Sequence, residues 1–171
     1  MGVYAFNDDK TKADLVGAYV LKEKSNLITI GTMTSNTTSW AQGMYQSTGV
    51  SQGDILSWND GDILKVNFYK NSAKMCIGTC FLSAKNIKDA VNAGVECGAD
   101  CNYFLAPMSN GSYISGKYKF IINMSCGWKR ARSSTSAFGL RFVLCFNYIE
   151  GDYSDLNVPL YADYERYAKL S

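Results

Sequence analysis

Alternating apolar and polar positions predict β-strands along much of the chain. Ile28 and Ile30 point to one face of an extended segment while Thr29 points to the other, which predicts a strand at 27–32. Residues 17–22 predict a second strand, and the Lys-Ser-Asn sequence between the two segments is typical of a turn. Both strands fit a half-buried sheet.

The same alternation, or a longer apolar run, recurs further along the chain. Segments that predict strands lie at 63–69, 74–82, 101–108, 112–128 and 140–149. The last segment is the most apolar, which predicts a central position in a sheet. Residues 35–53 are mostly polar, and we expect a loop with one helical turn there.

One clear helix interrupts this β pattern, at 84–94. Ser83 is a natural N-cap, and Gly94 is the kind of residue that ends a helix. The apolar face of this helix comprises Ile87, Ala90 and Val91. A second, short helix is expected after Pro159, where tyrosine recurs at every third residue: Tyr161, Tyr164 and Tyr167.

The tetrad Gly-Asp-Ile-Leu occurs twice, at 53–56 and 61–64, and raises the question of a functional carboxylate pair. Asn-Asp-Gly-Asp at 59–62 is typical of a hairpin turn, because Asp-Gly tolerates the backbone that such a turn requires. We interpret each tetrad as a turn that leads into a strand. A glycosidase pair formed by Asp54 and Asp62 stays open as an alternative.

Length and composition agree with a single, mainly β domain. The chain has 171 residues and is rich in Gly, Tyr, Ser, Thr and Asn but has only 2 Pro. We expect a β-sandwich or barrel-like fold with one helix around 84–94 and a short C-terminal helix. Its parts are an extended arm at 1–15, a β-rich domain at 16–149 and an acidic, tyrosine-rich tail at 150–171.

Charge is unevenly distributed along the chain, although the net charge is only +2. No acidic residue lies between Asp100 and Glu150, whereas this segment contains Lys117, Lys119, Lys129, Arg130, Arg132 and Arg141. Acidic residues then cluster near the C-terminus: Glu150, Asp152, Asp155, Asp163 and Glu165. The asymmetry indicates an anionic partner or a neighbouring subunit of opposite charge, unless the charges mix on the folded surface. The candidate interface residues are Lys129, Arg130, Arg132, Tyr161, Tyr164 and Tyr167.

The basic stretch would also suit single-stranded nucleic acid, because Trp128, Tyr118 and Phe120 lie near it in sequence. The small net charge and the absence of a known nucleic-acid-binding motif argue against this use. We therefore expect partners other than nucleic acid. The tyrosines at the C-terminal end would serve either as a docking stripe or as packing against their own sheet.

Histidine is absent and six cysteines are present, which narrows the possible chemistry. Without histidine, the chain lacks the Ser–His and Cys–His pairs, the usual general base and the commonest metal ligand. Cys76 and Cys80 fall on a predicted strand, where residues four apart lie about 13 Å apart, too far for one zinc ion. We expect free thiols, no metal, no cofactor and no enzymatic activity.

Targeting signals are not apparent at the N-terminus. No basic flank followed by an apolar run is present, so no signal peptide is expected. No apolar stretch approaches the roughly 20 residues that a membrane-spanning helix needs. We expect a protein that is made in a cytoplasm and stays there or assembles there into something larger.

Two short resemblances add expectations about function. The opening MGVYAFNDDKTKADL resembles the start of small structural proteins of tailed bacteriophages. This resemblance implies a virion component, such as a tail or head fibre or another appendage subunit. Such a component would be a homo-oligomer that contacts other virion proteins and is assembled in the cytoplasm of the host bacterium.

The segment SSTSAFGLRFVLC at 133–145 is similar to the closing strand of the C-type-lectin-like fold. This similarity implies an alternative function, a module that binds a host-surface glycan or another receptor. Sugar rings would then stack on tryptophan and form hydrogen bonds with carboxylates. The candidate residues for glycan binding are Trp40, Trp58, Trp128, Asp54 and Asp62.

Overall fold

Two antiparallel β-sheets dominate the part of the chain that the structure describes. The computed structural model describes residues 3–6, 13–33, 42–71, 75–105, 118–131, 137–151 and 158–170. Its strands are β1 (Val3–Phe6), β2 (Ala13–Lys24), β3 (Ile28–Met33), β4 (Gln42–Ser47), β5 (Ile63–Lys70), β6 (Cys76–Ser83), β7 (Cys97–Leu105), β8 (Tyr118–Arg130), β9 (Phe138–Gly151) and β10 (Val158–Lys169). Its helices are α1 (Gln52–Ser57) and α2 (Ala84–Ala93). The prediction of a mainly β fold is confirmed.

The strands divide into a six-stranded sheet A and a four-stranded sheet B. Sheet A has the order β1-β2-β10-β5-β6, and β3 also pairs with β10. Sheet B has the order β4-β9-β8-β7, so the apolar strand β9 has a neighbour on each side, as its sequence predicted. The expected arm at 1–15 contributes β1, which pairs with β2.

Strands β2 and β3 run along the same edge of β10, one after the other. Lys24 lies opposite Glu165, and Ile28 lies opposite Ala162. Ser25 bridges the break between them, because its N–H donates to Tyr164 O at 2.9 Å and its Oγ accepts from Tyr164 N–H at 2.9 Å. The two predicted strands are therefore confirmed, but the predicted turn between them is wrong: the chain continues in the same direction.

The main core lies between the sheets. Sheet A contributes alternate residues of two neighbouring strands: Leu64, Val66, Phe68, Leu160, Ala162 and Tyr164. Sheet B contributes Met124, Cys126, Trp128, Leu140, Phe142 and Leu144. Phe68 meets Phe142 edge to face with ring centroids 6.1 Å apart. This packing of two sheets is a β-sandwich arrangement.

Helix α2 forms where the sequence predicted it. Ser83 Oγ accepts from Asn86 N–H at 3.3 Å, and Gly94 adopts φ 68° at the other end. The positive φ favours glycine, and the Gly94 N–H caps the helix by donating to the carbonyls of Ala90 and Val91. Ile87, Ala90 and Val91 are buried against the main core, so the predicted apolar face is confirmed.

The predicted C-terminal helix is wrong, because residues 158–169 form strand β10. On a helix, tyrosines at every third residue would share one side, whereas on this strand Tyr164 faces away from Tyr161 and Tyr167. Pairing with β5 on one edge and with β2 and β3 on the other satisfies the backbone of β10. These long-range pairs override the local pattern.

Two further expectations about local structure are corrected. Within the predicted loop at 35–53, residues 42–47 form β4, because this polar segment pairs with the apolar strand β9. The first Gly-Asp-Ile-Leu tetrad lies in helix α1 and does not begin a strand. Ser51 supplies the N-cap that starts α1, and Ile55 is fully buried in the main core.

Candidate functional site

The carboxylate of Asp54, from the first tetrad, caps a helix. Its Oδ2 accepts from the N–H of Ser51 at 3.4 Å, and Ser51 Oγ accepts from the N–H of Asp54 at 3.1 Å. These reciprocal hydrogen bonds form a capping box at the start of α1. Asp54 is exposed, and its carboxylate also interacts favourably with the N-terminal end of the helix.

Asp62, from the second tetrad, is a buried ion-pair partner. Its side chain is only 2% exposed, and its Oδ2 lies 2.9 Å from Nη1 of Arg166. The same oxygen accepts from the N–H of Asn59 at 3.2 Å. The predicted turn at 59–62 is confirmed by the Asp62 N–H, which donates to the Asn59 carbonyl at 2.9 Å. This turn joins α1 to β5, however, so it is not the predicted hairpin.

Arg166 organises a cluster at one end of sheet A, which we call the Arg166 cluster: Glu23, Trp58, Asp62, Tyr164 and Arg166. Arg166 Nε donates to Glu23 Oε1 at 3.1 Å, and its guanidinium lies 5.7 Å from the centroid of the Trp58 ring. Tyr164 donates its hydroxyl to Glu23 Oε2 at 3.4 Å. Burial, and then the neighbouring Glu23 carboxylate, raise the pKa of Tyr164 to about 12. The cluster thus ties strands β2 and β10 to the turn that precedes β5.

A second set of polar groups lies on the face of sheet A that points away from sheet B. We call it the carboxylate network: Asn67, Tyr69, Asp163, Glu165 and Tyr167. Asn67 Nδ2 donates to Asp163 Oδ1 at 3.1 Å and to Glu165 Oε1 at 2.9 Å. The two carboxylate oxygens are therefore no more than 6.0 Å apart, the sum of those two distances. This upper limit is close to the separation of about 5–5.5 Å between the two catalytic carboxyl groups of retaining glycosidases.

The remaining contacts of the network bind both carboxylates to internal donors. The Tyr69 hydroxyl lies 3.2 Å from each oxygen of Asp163, and the Tyr167 hydroxyl donates to Glu165 Oε2 at 2.6 Å. Burial would raise the pKa of Glu165, but hydrogen bonds from Tyr167 and Asn67, helped by nearby lysines, outweigh it and lower the pKa. A glycosidase needs one carboxyl group with a raised pKa to act as the general acid. Glu165 does not have that property.

The network extends to the neighbouring strands through Thr79 and Lys24. Thr79 Oγ1 donates to Asn67 Oδ1 at 3.1 Å, which fixes the orientation of the amide that serves both carboxylates. Lys24 Nζ lies 3.6 Å from Asp163 Oδ2. Burial and the adjacent Asp163 raise the pKa of Tyr69, so its hydroxyl stays a donor. Polar groups on β2, β10, β5 and β6 are thereby joined across the sheet.

The predicted basic stretch is divided between the two faces of sheet B. The Arg130 guanidinium lies 5.3 Å from the centroid of the Phe138 ring, and Phe138 stacks on Trp128 at 5.9 Å. Lys129 points to the opposite face, the one it shares with Arg141, because side chains alternate along a strand. The aromatic-lined basic surface considered for nucleic acid therefore does not form from Trp128 and Lys129. Arg132 lies outside the described residues.

The candidate glycan-binding residues do not come together on an open surface. Trp58 and Trp128 are each only 6% exposed, and Asp62 is held by Arg166. Asp54 is exposed, but it serves as a helix cap. Trp40 lies outside the described residues. A sugar ring therefore has no described tryptophan face on which to stack.

The C-terminal tyrosines pack mainly within the protein itself. Tyr164 belongs to the main core, and Tyr167 forms a smaller cluster with Tyr19 and Ile63 on the other face of sheet A. Tyr161 is half-buried. Of the two uses considered for these residues, packing against their own sheet describes Tyr164 and Tyr167.

The thiols and acidic groups do not form a metal site in the described part of the chain. Cys80 and Cys126 are buried in the main core, and Cys76 is exposed at the start of β6. All three are free thiols, as is Cys97. Among the described residues, no group of three or more Cys, Asp or Glu side chains is placed to hold a metal ion.

Neither the Arg166 cluster nor the carboxylate network was predicted from the sequence. Arg166, Glu23 and Asn67 belonged to no motif, because each acquires its role only when distant strands pair. One signal was present for the network: Asp163 and Glu165 are two residues apart, which places both on one face of a strand. The expectation of a helix at this position obscured that signal.

Comparisons with protein families, with curated proteins and with solved structures find no match to this chain. No helix among the described residues has the length and apolar character that a membrane crossing requires.

Proposed function

We propose that this chain is a non-catalytic structural subunit that works by assembling with other protein chains. The setting we propose is a bacteriophage virion, in which the chain would form part of a tail fibre, a head fibre or another appendage. The resemblance of the first fifteen residues to phage structural proteins suggests this setting. Homo-oligomerisation is part of the proposal.

The observation that carries the proposal is the use that the fold makes of its carboxylates. Asp54 caps α1, Asp62 pairs with Arg166, and Asp163 and Glu165 are held by shared hydrogen bonds. Groups that perform acid–base or nucleophilic chemistry must face a substrate with unsatisfied bonding capacity. Carboxylates that are already bound by internal donors are suited to stabilising a rigid β-sandwich, which is what a structural subunit requires.

Sedimentation velocity on the purified full chain tests the assembly part of the proposal. We expect species heavier than the 18.9 kDa monomer, in a proportion that rises with protein concentration. Added salt should change this proportion if charged groups fix the register between subunits. A monomer at every concentration and salt level would contradict the proposal.

A parallel experiment addresses the enzymatic alternative. Wild-type protein and the Glu165→Gln variant are incubated with a panel of bacterial polysaccharides, and release of reducing sugar is measured. We expect no turnover by either protein. Turnover by the wild type that is lost in the variant would overturn the non-catalytic assignment.

A further inference from the structure

The face of sheet B that points away from the core bears two neighbouring cations, Lys129 and Arg141. In the register of β8 and β9, Lys129 lies opposite Gly139 and Arg141 lies opposite Gly127. The two cations are therefore diagonal neighbours on adjacent strands, with Cα atoms about 7–8 Å apart. Neither forms an ion pair with a carboxylate in the described part of the chain.

Glycines leave the backbone bare beneath these side chains. A Cβ added to Gly98 would lie 2.7 Å from Cε and 2.9 Å from Nζ of Lys129, and one added to Gly139 would lie 3.1–3.3 Å from the Arg141 guanidinium. Both cations thus lie flat against the sheet and do not extend into solvent. We call this surface the basic face: Gly98, Gly127, Lys129, Gly139 and Arg141. Asp100 lies two residues after Gly98 on β7, on the same side of the sheet and opposite Ser125.

Arg141 carries an unsatisfied donor. Its Nε is buried and has no hydrogen-bond partner among the described residues. An unsatisfied buried donor is unfavourable, and such groups are rare in folded proteins. Because Nε itself is buried, a docked carboxylate would meet the terminal guanidinium nitrogens of Arg141, which can hold it through two parallel hydrogen bonds.

We infer that the basic face docks an extended, carboxylate-rich segment of another protein chain. In an extended segment, alternate side chains lie about 6.6 Å apart on one side, which is close to the spacing of Lys129 and Arg141. Nucleic acid fits less well, because Trp128 and Arg130 belong to the opposite face of the sheet. This inference rests on the proposed assembly function and specifies the chemistry of the partner.

Binding of a fluorescein-labelled peptide with Glu at every second position, measured by fluorescence anisotropy at low salt, tests the inference. We expect Lys129→Gln/Arg141→Gln to weaken binding about tenfold or more, since it removes both charge-assisted contacts. The control is Lys22→Gln/Lys85→Gln, which removes two exposed cations elsewhere and should change the affinity less than about twofold. Equal losses in the two double variants would overturn the inference.

Ser125→Glu provides a second variant that leaves both cations in place. Ser125 lies on the same strand as Gly127 and Lys129 and points to the same face. The added negative charge should weaken peptide binding, and unchanged affinity in this variant would contradict the inference. Thermal unfolding of every variant confirms that the fold is retained.

Two further probes distinguish the class of partner and the level at which the inference fails. Oligothymidylate and dextran sulfate are compared with the peptide at equal charge, and tighter binding of either to the basic face would overturn the assignment to a protein segment. A protein that self-associates in sedimentation but does not bind the peptide would refute this inference while the assembly function stands.

Discussion

Replacing Asp62 with Asn tests how much the Arg166 cluster contributes to stability. The change keeps the size of the side chain and the acceptor for the Asn59 N–H, but it removes the negative charge 2.9 Å from Arg166. Breaking a buried ion pair costs about 3–5 kcal/mol, whereas one hydrogen bond to a charged group contributes about 1.5–3 kcal/mol. Arg166 is 20% exposed and keeps Glu23 as a partner, so the lower range applies. We expect a loss of about 2 kcal/mol.

Urea unfolding followed by circular dichroism measures this loss. With a slope of about 2 kcal/mol per molar of urea, the midpoint should fall by about 1 M at an unchanged slope. Asp60→Asn is the matched control, because Asp60 lies in the same turn but is exposed and pairs with Lys88. Its midpoint should stay close to that of the wild type, since exposed ion pairs contribute little.

Two outcomes would refute the reasoning about Asp62. One is a wild-type midpoint for Asp62→Asn, which would mean that the pair with Arg166 contributes nothing net. The other is an equal shift for Asp60→Asn, which would place the effect in the turn and not in the ion pair. A double-mutant cycle with Arg166→Gln isolates the coupling, which should be at least about 1 kcal/mol.

Three further predictions follow from the backbone and from the titrating groups. Gly127→Ala should lower the thermal midpoint, because Gly127 has φ 149° and an added Cβ would lie 2.1 Å from the Cys97 carbonyl oxygen. Gly53→Ala on α1 should raise it slightly, because an added Cβ there would make only an ordinary contact with Ser51 Oγ at 3.8 Å. The fold lowers the pKa of Glu165, so the contribution of Glu165 to stability is complete above the usual pKa of 4.5 and is lost as the pH falls through the lower folded-state pKa. Glu165→Gln should therefore flatten the dependence of the urea midpoint on pH between about 5 and 3. The pKa of Tyr164 is raised to about 12, so the contribution of Tyr164 to stability is present below the unfolded-state pKa near 10 and is lost as the pH rises towards 12. In an absorbance titration at alkaline pH, Tyr164→Phe should remove one tyrosine that ionises later than the others. A midpoint raised by Gly127→Ala, an unchanged acid profile for Glu165→Gln or an unchanged alkaline titration for Tyr164→Phe would each contradict the corresponding argument.

Features encoded within a few residues were predictable from the sequence. The cap at Ser83 and the glycine at 94 define α2, and the alternation at 63–69 defines β5. Helix α1 was missed although its capping box, formed by Ser51 and Asp54, is visible in the sequence. The two glycine-aspartate pairs are typical of turns, and the first pair was therefore interpreted as a turn and not as the start of a helix.

Features that depend on long-range pairing were not predictable in the same way. Tyrosines at every third residue favour a helix locally, and only the pairing of β10 with its three neighbouring strands decides for a strand. The Arg166 cluster likewise joins residues that are far apart in sequence, Glu23, Asp62 and Arg166. The pairing of strands that brings these three residues together cannot be read from a single sequence. The carboxylates could therefore be identified as candidates, but their role in supporting the fold required the topology.

The most direct test of whether the carboxylates serve the fold is the unfolding free energy of Asp163→Asn. This change removes the charge that Asn67, Tyr69 and Lys24 surround, on a side chain that is 9% exposed. We expect a loss of about 2 kcal/mol by urea unfolding for Asp163→Asn, and no loss for the exposed control Asp100→Asn. An Asp163→Asn protein as stable as the wild type, or more stable, would contradict the account, because residues retained for chemistry are commonly held at a cost to stability.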